Sequence, residues 1–259
     1  MWTYPPGRIL VPVDFGEASA SALRTALVIA RATRASVTVL HAEALEAPPY
    51  FTHDQVTALE HQRAAARTAA ERYLARWVRE RVTPAGGAAD AAVRIVDGTA
   101  VVEILKAAAN VDLVVMGTHG HRGPTRWWMG SVAERVVGES VTPVIVVRES
   151  SRGVDPASIF GRLLVIGPFA APEGFARRYA HALGEAFGTV AVDGTDRCTI
   201  ETVQEVSASM LVIPTHSGER HWLGEQAEKI LRRCALPILF VPETGHKGDS
   251  HMWLSPPHT

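Results

Sequence analysis

The stretch from residue 112 to residue 147 constrains the fold of this chain more than any other part of its sequence. Residues 113–116 are all apolar and predict a short buried strand. A loop with several glycines follows, and an amphipathic helix is predicted to begin at Gly130-Ser131. Val144–Val147 then predicts a second buried strand. A strand, a glycine-containing loop and a helix N-terminus present free N–H groups and a positive dipole end, which favours an anion site.

The same alternation of strands and helices runs through the rest of the first half. Short apolar or β-branched runs predict strands, and the segments between them have the apolar spacing of helices. The predicted strands are residues 8–14, 36–41, 92–96, 112–116 and 144–147, and the predicted helices are residues 17–34, 54–82, 101–109 and the helix that begins at Gly130. Such alternation predicts an α/β fold with a parallel sheet covered on both faces. Because crossovers are right-handed, we expect a doubly wound, Rossmann-like sheet with strand order 3-2-1-4-5.

Two residues found far apart in the sequence are expected to meet in this sheet. Its first and fourth strands are neighbours where the strand order reverses, and ligands bind there at the carboxyl ends. Asp14 ends the first predicted strand and Gly117 follows the fourth, so both should border this crevice. The Asp14 carboxylate could accept hydrogen bonds from a pair of ribose hydroxyls. It could equally cap the helix that begins near Glu17, and the residues alone leave both roles open.

The loop spacing Gly117-x2-Gly120-x9-Gly130-Ser131 resembles the nucleotide loop of the ATP-binding branch of the universal stress protein family. The flanking residues agree, with Met-Gly-Thr-His-Gly before the loop, Gly-Ser-Val-Ala-Glu at the helix start and Thr-Pro-Val-Ile-Val-Val after it. Glycines alone would suit turns in any α/β loop, but the complete spacing with both flanking strands favours the resemblance. The resemblance implies a protein that binds ATP, with Mg²⁺ accompanying the triphosphate.

The resemblance also implies which residues contact the nucleotide. Asp14 would hold the nucleoside, and the adenine pocket would be lined by Pro12, Val13 and Ala42. The ribose and phosphates would be bordered by Met116, Gly117, Thr118, His119 and Gly120. Phosphate contacts through backbone N–H groups and one hydroxyl would come from Gly130, Ser131, Val132 and Ala133. His119 and His121 could instead hold a transition metal, but no third ligand lies near them in the sequence, so no metal site is predicted.

The second half of the chain contains a shorter and weaker copy of the first. Residues 8–15 match residues 162–169, and Trp128-Met-Gly130 matches Trp222-Leu-Gly224. The copy has no counterpart to the long helix or to the third strand. We therefore expect four segments, namely a nucleotide-binding universal stress protein domain at residues 1–148, a linker at 149–161, a shortened, degenerate doubly wound domain at 162–242 and a flexible tail at 243–259.

The second copy departs from the first at two positions where the chemistry of nucleotide binding matters. Pro168 stands where the first half has Asp14, so the carboxylate is lost. Glu225 stands where the first half has Ser131, and a carboxylate at a helix N-terminus would repel a triphosphate. We expect one ATP per chain, held in the first half.

The resemblance further implies how the two halves associate. In the family, the final strand of each domain pairs with that of its partner, and the corresponding strands here are residues 144–147 and 238–241. Both are short and apolar, and an unpaired apolar edge strand invites aggregation. An intramolecular pseudo-dimer of the two halves is therefore expected, with homodimerisation as a further option.

Composition argues against some classes of partner. Lys plus Arg (26) nearly balances Asp plus Glu (27), so no basic excess points to nucleic acid or to an anionic membrane. No apolar run approaches the roughly 18 residues of a membrane span, and the first residues lack a signal-peptide pattern. The two cysteines, Cys198 and Cys234, form no CxxC motif and predict reduced thiols. A cytoplasmic protein is expected.

The sequence favours a nucleotide-linked sensor or regulator of the stress response over an enzyme. The loop lacks the Gly-Lys-Ser or Gly-Lys-Thr ending of a P-loop, so no lysine is placed on the phosphates, and no general base is evident. The alternative from the enzyme class is a slow ATP hydrolase, or a protein that phosphorylates itself on Ser131. A third hypothesis is a structural stress protein with an empty cleft.

Overall fold

A computed structural model describes residues 4–43, 53–82, 91–118, 129–148, 156–166, 174–193, 200–215, 234 and 236–242. The strands of the first half are β1 (Arg8–Pro12), β2 (Ser36–Glu43), β3 (Ala91–Asp97), β4 (Leu113–Gly117) and β5 (Val144–Val147). Its helices are α1 (Glu17–Thr33), α2 (His53–Val82), α3 (Ala100–Ala108) and α4 (Ser131–Glu139). Every element that the sequence predicted in this half is present, although β1 ends at Pro12 and leaves Asp14 in the following turn.

The five strands of the first half are parallel and lie in the order β3-β2-β1-β4-β5, as the sequence predicted. β1 pairs with β2 from Arg8↔Ser36 to Pro12↔Leu40, and it pairs with β4 at Ile9↔Leu113. β1 and β4 are thus the neighbours between which the chain reverses its direction of travel across the sheet. Because β1 and β4 are parallel, their carboxyl ends lie at the same edge of the sheet.

The second half adds β6 (Arg162–Val165), α5 (Phe175–Phe187), β7 (Val190–Asp193), α6 (Ile200–Glu205), β8 (Met210–Thr215) and β9 (Ile238–Pro242). Its strands lie in the order β9-β8-β6-β7, which corresponds to β5-β4-β1-β2 in the first half. The described part of this half contains no counterpart to β3 or to α2. Residues 194–199, which alone connect β7 to α6, are too few to hold such a helix and strand.

The two halves share one sheet of nine strands, joined between β5 and β9. These two strands are antiparallel, with Val144 opposite Phe240 and Val146 opposite Ile238. They are the strands that the resemblance implied would meet, and the other strand pairs within the described residues are parallel. Because β5 and β9 each end the sheet of their own half, their pairing removes two open edges.

Side chains alternate between the two faces of this sheet and build two cores. One core lies between the sheet and α1, α2 and α5, and the other lies between the sheet and α3, α4 and α6. Both cores continue across the joint between the halves. Ile145 and Leu239 belong to the first core, and Val146 and Ile238 belong to the second.

A buried carboxylate aligns the starts of β1 and β4. Asp112 is 2% exposed and accepts hydrogen bonds from the backbone N–H groups of Gly7 at 3.1 Å and Arg8 at 2.9 Å. The Arg8 guanidinium also contacts it at 3.1 Å. A buried charge is tolerated only where it is paired and hydrogen-bonded, so these contacts hold the two central strands in register.

The predicted linker at 149–161 ends in a part of the core. Pro156–Phe160 forms a short 3-10 helix, in which Ile159 and Phe160 are buried. The Phe160 ring stacks on Phe187 of α5 with a centroid distance of 4.0 Å. The polar composition of the whole segment did not indicate this anchorage. Residues 149–155 and the predicted tail at 243–259 lie outside the described residues.

Two further sequence expectations concern the membrane and the cysteines. In the described parts of the chain, no helix is both long enough and apolar enough to cross a membrane. Cys234 is a buried free cysteine. Burial raises the pKa of its thiol, while the Leu236 backbone N–H and Arg148 oppose that shift. Cys198 lies outside the described residues.

Candidate functional site

A cleft of about 480 Å³ opens at the carboxyl ends of β1, β2 and β4, with the first turns of α3 and α4 on its walls. Its volume lies within the range of roughly 300–1,000 Å³ that is usual for small-molecule sites. Eleven of the thirteen predicted contact residues line it, namely Pro12, Val13, Asp14, Ala42, Met116, Gly117, Thr118, Gly130, Ser131, Val132 and Ala133. The other two, His119 and Gly120, lie outside the described residues.

Of the two roles that the sequence left open for Asp14, the structure bears on the capping role: Gly16 is the N-cap residue of α1, and the Asp14 carboxylate supports the turn before it. Its Oδ1 accepts hydrogen bonds from the Gly16 backbone N–H at 3.0 Å and from the Ser19 hydroxyl at 2.6 Å. This oxygen therefore stabilises the turn that leads into α1. Its Oδ2 accepts no hydrogen bond from any described residue, and the side chain is exposed at the cleft. One oxygen thus serves the fold, and the other is available to a ligand.

The N-terminus of α4 offers three backbone donors to the cleft. Gly130 is the N-cap residue, and its own N–H donates to the Thr118 carbonyl at 2.5 Å. Gly130 therefore closes the base of the loop with this group, where the sequence predicted a phosphate donor. Ser131, Val132 and Ala133 begin the helix, so their N–H groups have no partner within it. These groups and the positive end of the helix dipole favour an anion.

Gly117 lines the cleft, but its missing side chain is required by the packing behind it. A Cβ atom at this position would lie 2.7 Å from the backbone carbonyl carbon of Ala18 and 2.9 Å from the Ser19 nitrogen. Only glycine lets the end of β4 approach the first turn of α1 so closely. The sequence predicted a ribose or phosphate contact for Gly117 and gave no sign of this second role.

The described residues contain no group of three or more His, Cys, Asp or Glu side chains that could hold a metal ion. His119 and His121, which the sequence considered as metal ligands, lie outside those residues. The polar groups that the described lining offers to a ligand are therefore carboxylate, hydroxyl and backbone groups, together with the His41 ring.

The whole lining of the cleft lies in a part of the chain that matches a known family. The model described as “Universal stress protein family” matches residues 6–148, which is more than half of the 259 residues. The chain belongs to the universal stress protein family. The second half lies beyond the residues matched by this model, and no curated protein matches the sequence.

Solved structures share the fold of this universal stress protein across both halves. A universal stress protein from Archaeoglobus fulgidus DSM 4304 has a TM-score of 0.65 and 20% sequence identity, with coverage of 92% of this chain and 98% of that chain. A functionally unknown protein from Pseudomonas aeruginosa PAO1 has a TM-score of 0.58 and 16% identity, with coverage of 92% and 93%. At these identities the likeness concerns the fold.

Five residues that line the cleft of this universal stress protein were not predicted from the sequence: Ser19, Leu40, His41, Ala100 and Ile104. Ala100 and Ile104 lie in the first turns of α3, which connects β3 to β4 and therefore passes beside the crevice. The predicted topology implied that a helix begins at this edge of the sheet. Apolar side chains in such a helix carry no motif, so the sequence did not single them out.

The turn between Asp14 and α1 has an unusual backbone that aromatic packing supports. Phe15 has a φ of 66°, in the left-handed region that residues with a side chain rarely adopt. Its ring packs on His41 at 4.6 Å, on Tyr73 at 5.1 Å and on Trp77 at 5.8 Å, measured between ring centroids. His41 Nδ1 donates to the Val13 carbonyl at 2.8 Å. These contacts offset the strain of the turn, which is of order 1–3 kcal/mol for such a conformation.

Proposed function

We propose that this universal stress protein binds ATP in the cleft and acts in the cytoplasm as a nucleotide-linked sensor or regulator of the stress response. The observation that carries the proposal is the convergence of three distant segments, residues 12–14, 116–118 and 130–133, on one cleft. They bring together an exposed carboxylate and a helix N-terminus. These groups recognise ribose hydroxyls and phosphates respectively.

The phosphates would lie at the start of α4. The N–H groups of Ser131, Val132 and Ala133 supply donors, and the exposed Ser131 hydroxyl supplies a further one. Mg²⁺ would accompany the triphosphate, because this ion prefers oxygen ligands and keeps several waters.

The nucleoside would lie at the ends of β1 and β2. Asp14 Oδ2 is the acceptor for the ribose hydroxyls. The apolar lining near these strands, which includes Ala42, Ala100 and Ile104, suits the flat face of a purine. The cleft therefore pairs an apolar surface for the base with polar groups for the sugar and the phosphates.

Replacing Asp14 by asparagine is expected to weaken ATP binding about ten- to hundredfold. The amide oxygen can still accept the hydrogen bonds of Gly16 and Ser19, so the turn keeps its local partners. The amide nitrogen takes the place of Oδ2 and cannot accept a hydrogen bond from a ribose hydroxyl. The loss corresponds to roughly 1.5–3 kcal/mol, the usual value of a hydrogen bond to a charged group, and calorimetric titration measures it.

Asp97→Asn is the matched control, because it makes the same change of charge at the same edge of the sheet. Asp97 ends β3, lies 3.3 Å from the Arg67 guanidinium and is not among the residues that line the cleft. The affinity of the Asp97→Asn variant for ATP should equal that of the wild type. If Asp14→Asn also binds like the wild type, ATP does not use this carboxylate. A wild-type protein that binds no ATP would refute the proposed function.

We further propose that the chain is a tandem universal stress protein whose halves form an intramolecular pseudo-dimer. The halves would be residues 1–148 and 162–242, the second shortened by one strand and one long helix. Two features support this arrangement. The strand order β9-β8-β6-β7 repeats β5-β4-β1-β2, and the last strands of the two halves pair antiparallel.

Saturation with ATP is expected to load one nucleotide per chain. Pro168 and Glu225, which lie outside the described residues, take the sequence positions of Asp14 and Ser131. Proline has no acceptor side chain, and a glutamate at a helix N-terminus competes with a triphosphate for the same positive potential. Equilibrium dialysis with labelled ATP counts the sites. A second equivalent that persists in Asp14→Asn would contradict the assignment of binding to the first half.

A further inference from the structure

We propose that Ser19 is a positioning residue for nucleotide binding, whose hydroxyl fixes the Asp14 carboxylate so that Oδ2 alone faces the ligand. The inference rests on the proposed function and refines it, because it names the group that prepares the ribose-binding carboxylate before ATP arrives. Asp14 and Ser19 together would then determine the selectivity of the cleft for ribose.

The hydrogen bonds between Ser19 and Asp14 run in both directions. The Ser19 hydroxyl donates to Asp14 Oδ1 at 2.6 Å, and the Asp14 backbone N–H donates back to Ser19 Oγ at 3.2 Å. The Gly16 N–H donates to the same Oδ1 at 3.0 Å. Two donors therefore engage Oδ1, and the whole acceptor capacity of Oδ2 is left to a ligand.

Ser19 itself is held in place by the fold. It lies in the first turn of α1, is 5% exposed and still reaches the lining of the cleft. Gly117 brings the end of β4 against this turn, since a Cβ at Gly117 would lie 2.9 Å from the Ser19 nitrogen. Because the packing of α1 on the sheet fixes Ser19, its hydroxyl holds the exposed Asp14 carboxylate in place.

The carboxylate needs such a support because the backbone around it is under strain. The left-handed φ of Phe15 would relax more easily if the bonds that bridge the turn were lost. An exposed aspartate that is free to rotate loses that freedom on binding, which lowers affinity. A carboxylate that is already fixed in place binds without this loss.

The test compares Ser19→Ala with Ser21→Ala in the intact protein, using ATP, 2′-deoxyATP and 3′-deoxyATP. Ser21 is the matched control, because it is a buried serine of α1, is 3% exposed, accepts a hydrogen bond from Arg24 and is not in the lining of the cleft. We expect Ser19→Ala to bind ATP about two- to tenfold more weakly. The wild type should bind at least one of the two deoxy analogues more weakly than ATP. We expect Ser19→Ala to lose much of this preference for ATP. Ser21→Ala should keep both values.

A double-substitution cycle separates positioning from general packing. In the Asp14→Asn background, Ser19→Ala should have little further effect on ATP affinity, because the group that it positions is already lost. The inference is overturned if Ser19→Ala weakens ATP and both deoxy analogues by one common factor, or if the wild type shows no preference among them. A wild type that binds no ATP would remove the proposed function and this inference together. The inference alone fails if the wild type binds ATP and Asp14→Asn weakens that binding, but Ser19→Ala keeps the wild-type preference between ATP and its deoxy analogues.

Discussion

Val146→Asp is expected to break the joint between the two halves of this protein. Val146 is 1% exposed, lies opposite Ile238 of β9 and packs in the core beside α3 and α4. A carboxylate in this place would be buried without a partner, and an uncompensated buried charge costs about 3–5 kcal/mol. Globular proteins are stable by only about 5–15 kcal/mol, so this one substitution removes a large share of the total.

Urea unfolding followed by circular dichroism measures the loss, and small-angle scattering reports whether the halves separate. Val141→Asp is the control, because Val141 is 52% exposed and lies just before β5. A surface change of this kind usually alters stability by no more than about 0.5 kcal/mol. Equal urea midpoints for the two variants, with an unchanged scattering profile, would show that the β5–β9 pairing does not hold the halves together.

Gly117→Ala is expected to destabilise the protein by about 1–3 kcal/mol, the usual cost of overpacking. The added Cβ would lie 2.7 Å from the Ala18 carbonyl carbon, which is a backbone atom that no change of side-chain rotamer can move. The start of α1 must therefore shift away from β4. Because Ser19 and the turn at Asp14 belong to this region, the same shift should also weaken ATP binding.

Differential scanning calorimetry checks the change in stability, with a fall in Tm of about 2–4 °C for each kcal/mol in a chain of this size. Gly7→Ala is the matched control. Among the described residues, a Cβ at Gly7 would meet only Asp112 Oδ2, at the ordinary contact distance of 3.6 Å. The packing account of Gly117 fails if its variant melts with the control at the wild-type temperature.

The strand order of the first half could be predicted because each strand is indicated by its own residues. Runs such as Val144–Val147 are apolar throughout, as strands buried on both faces must be, and right-handed crossovers then leave few orders. The same rules predict that Asp14 and Gly117 lie at one crevice. The other predicted residues that line the cleft were implied by the resemblance to the universal stress protein family.

Other features of the site escaped prediction because they depend on contacts between distant parts of the chain. Nothing near Gly117 in the sequence shows that Ala18 lies against it. The N–H of Gly130 looked available for phosphate, yet it donates to Thr118 across the loop. Phe160 lies in a segment whose polar composition suggested a linker. Its partner, Phe187, comes much later in the sequence, at the end of α5. Local pattern carries no information about such pairings.

The antiparallel pairing of β5 with β9 also means that β5 is synthesised well before the strand it pairs with. About 90 residues separate Val147 from Ile238, and synthesis adds roughly 5–20 residues per second. The edge of β5 therefore leaves the ribosome roughly 5–20 seconds before its partner strand exists.

During that interval the unpaired N–H and C=O groups of β5 can pair with the same strand of a neighbouring nascent chain. Chains translated close together on one messenger would thus compete with the second half for this edge. We expect slower translation of residues 148–237 to increase the share of chains that assemble with one another and leave their own second half unpaired.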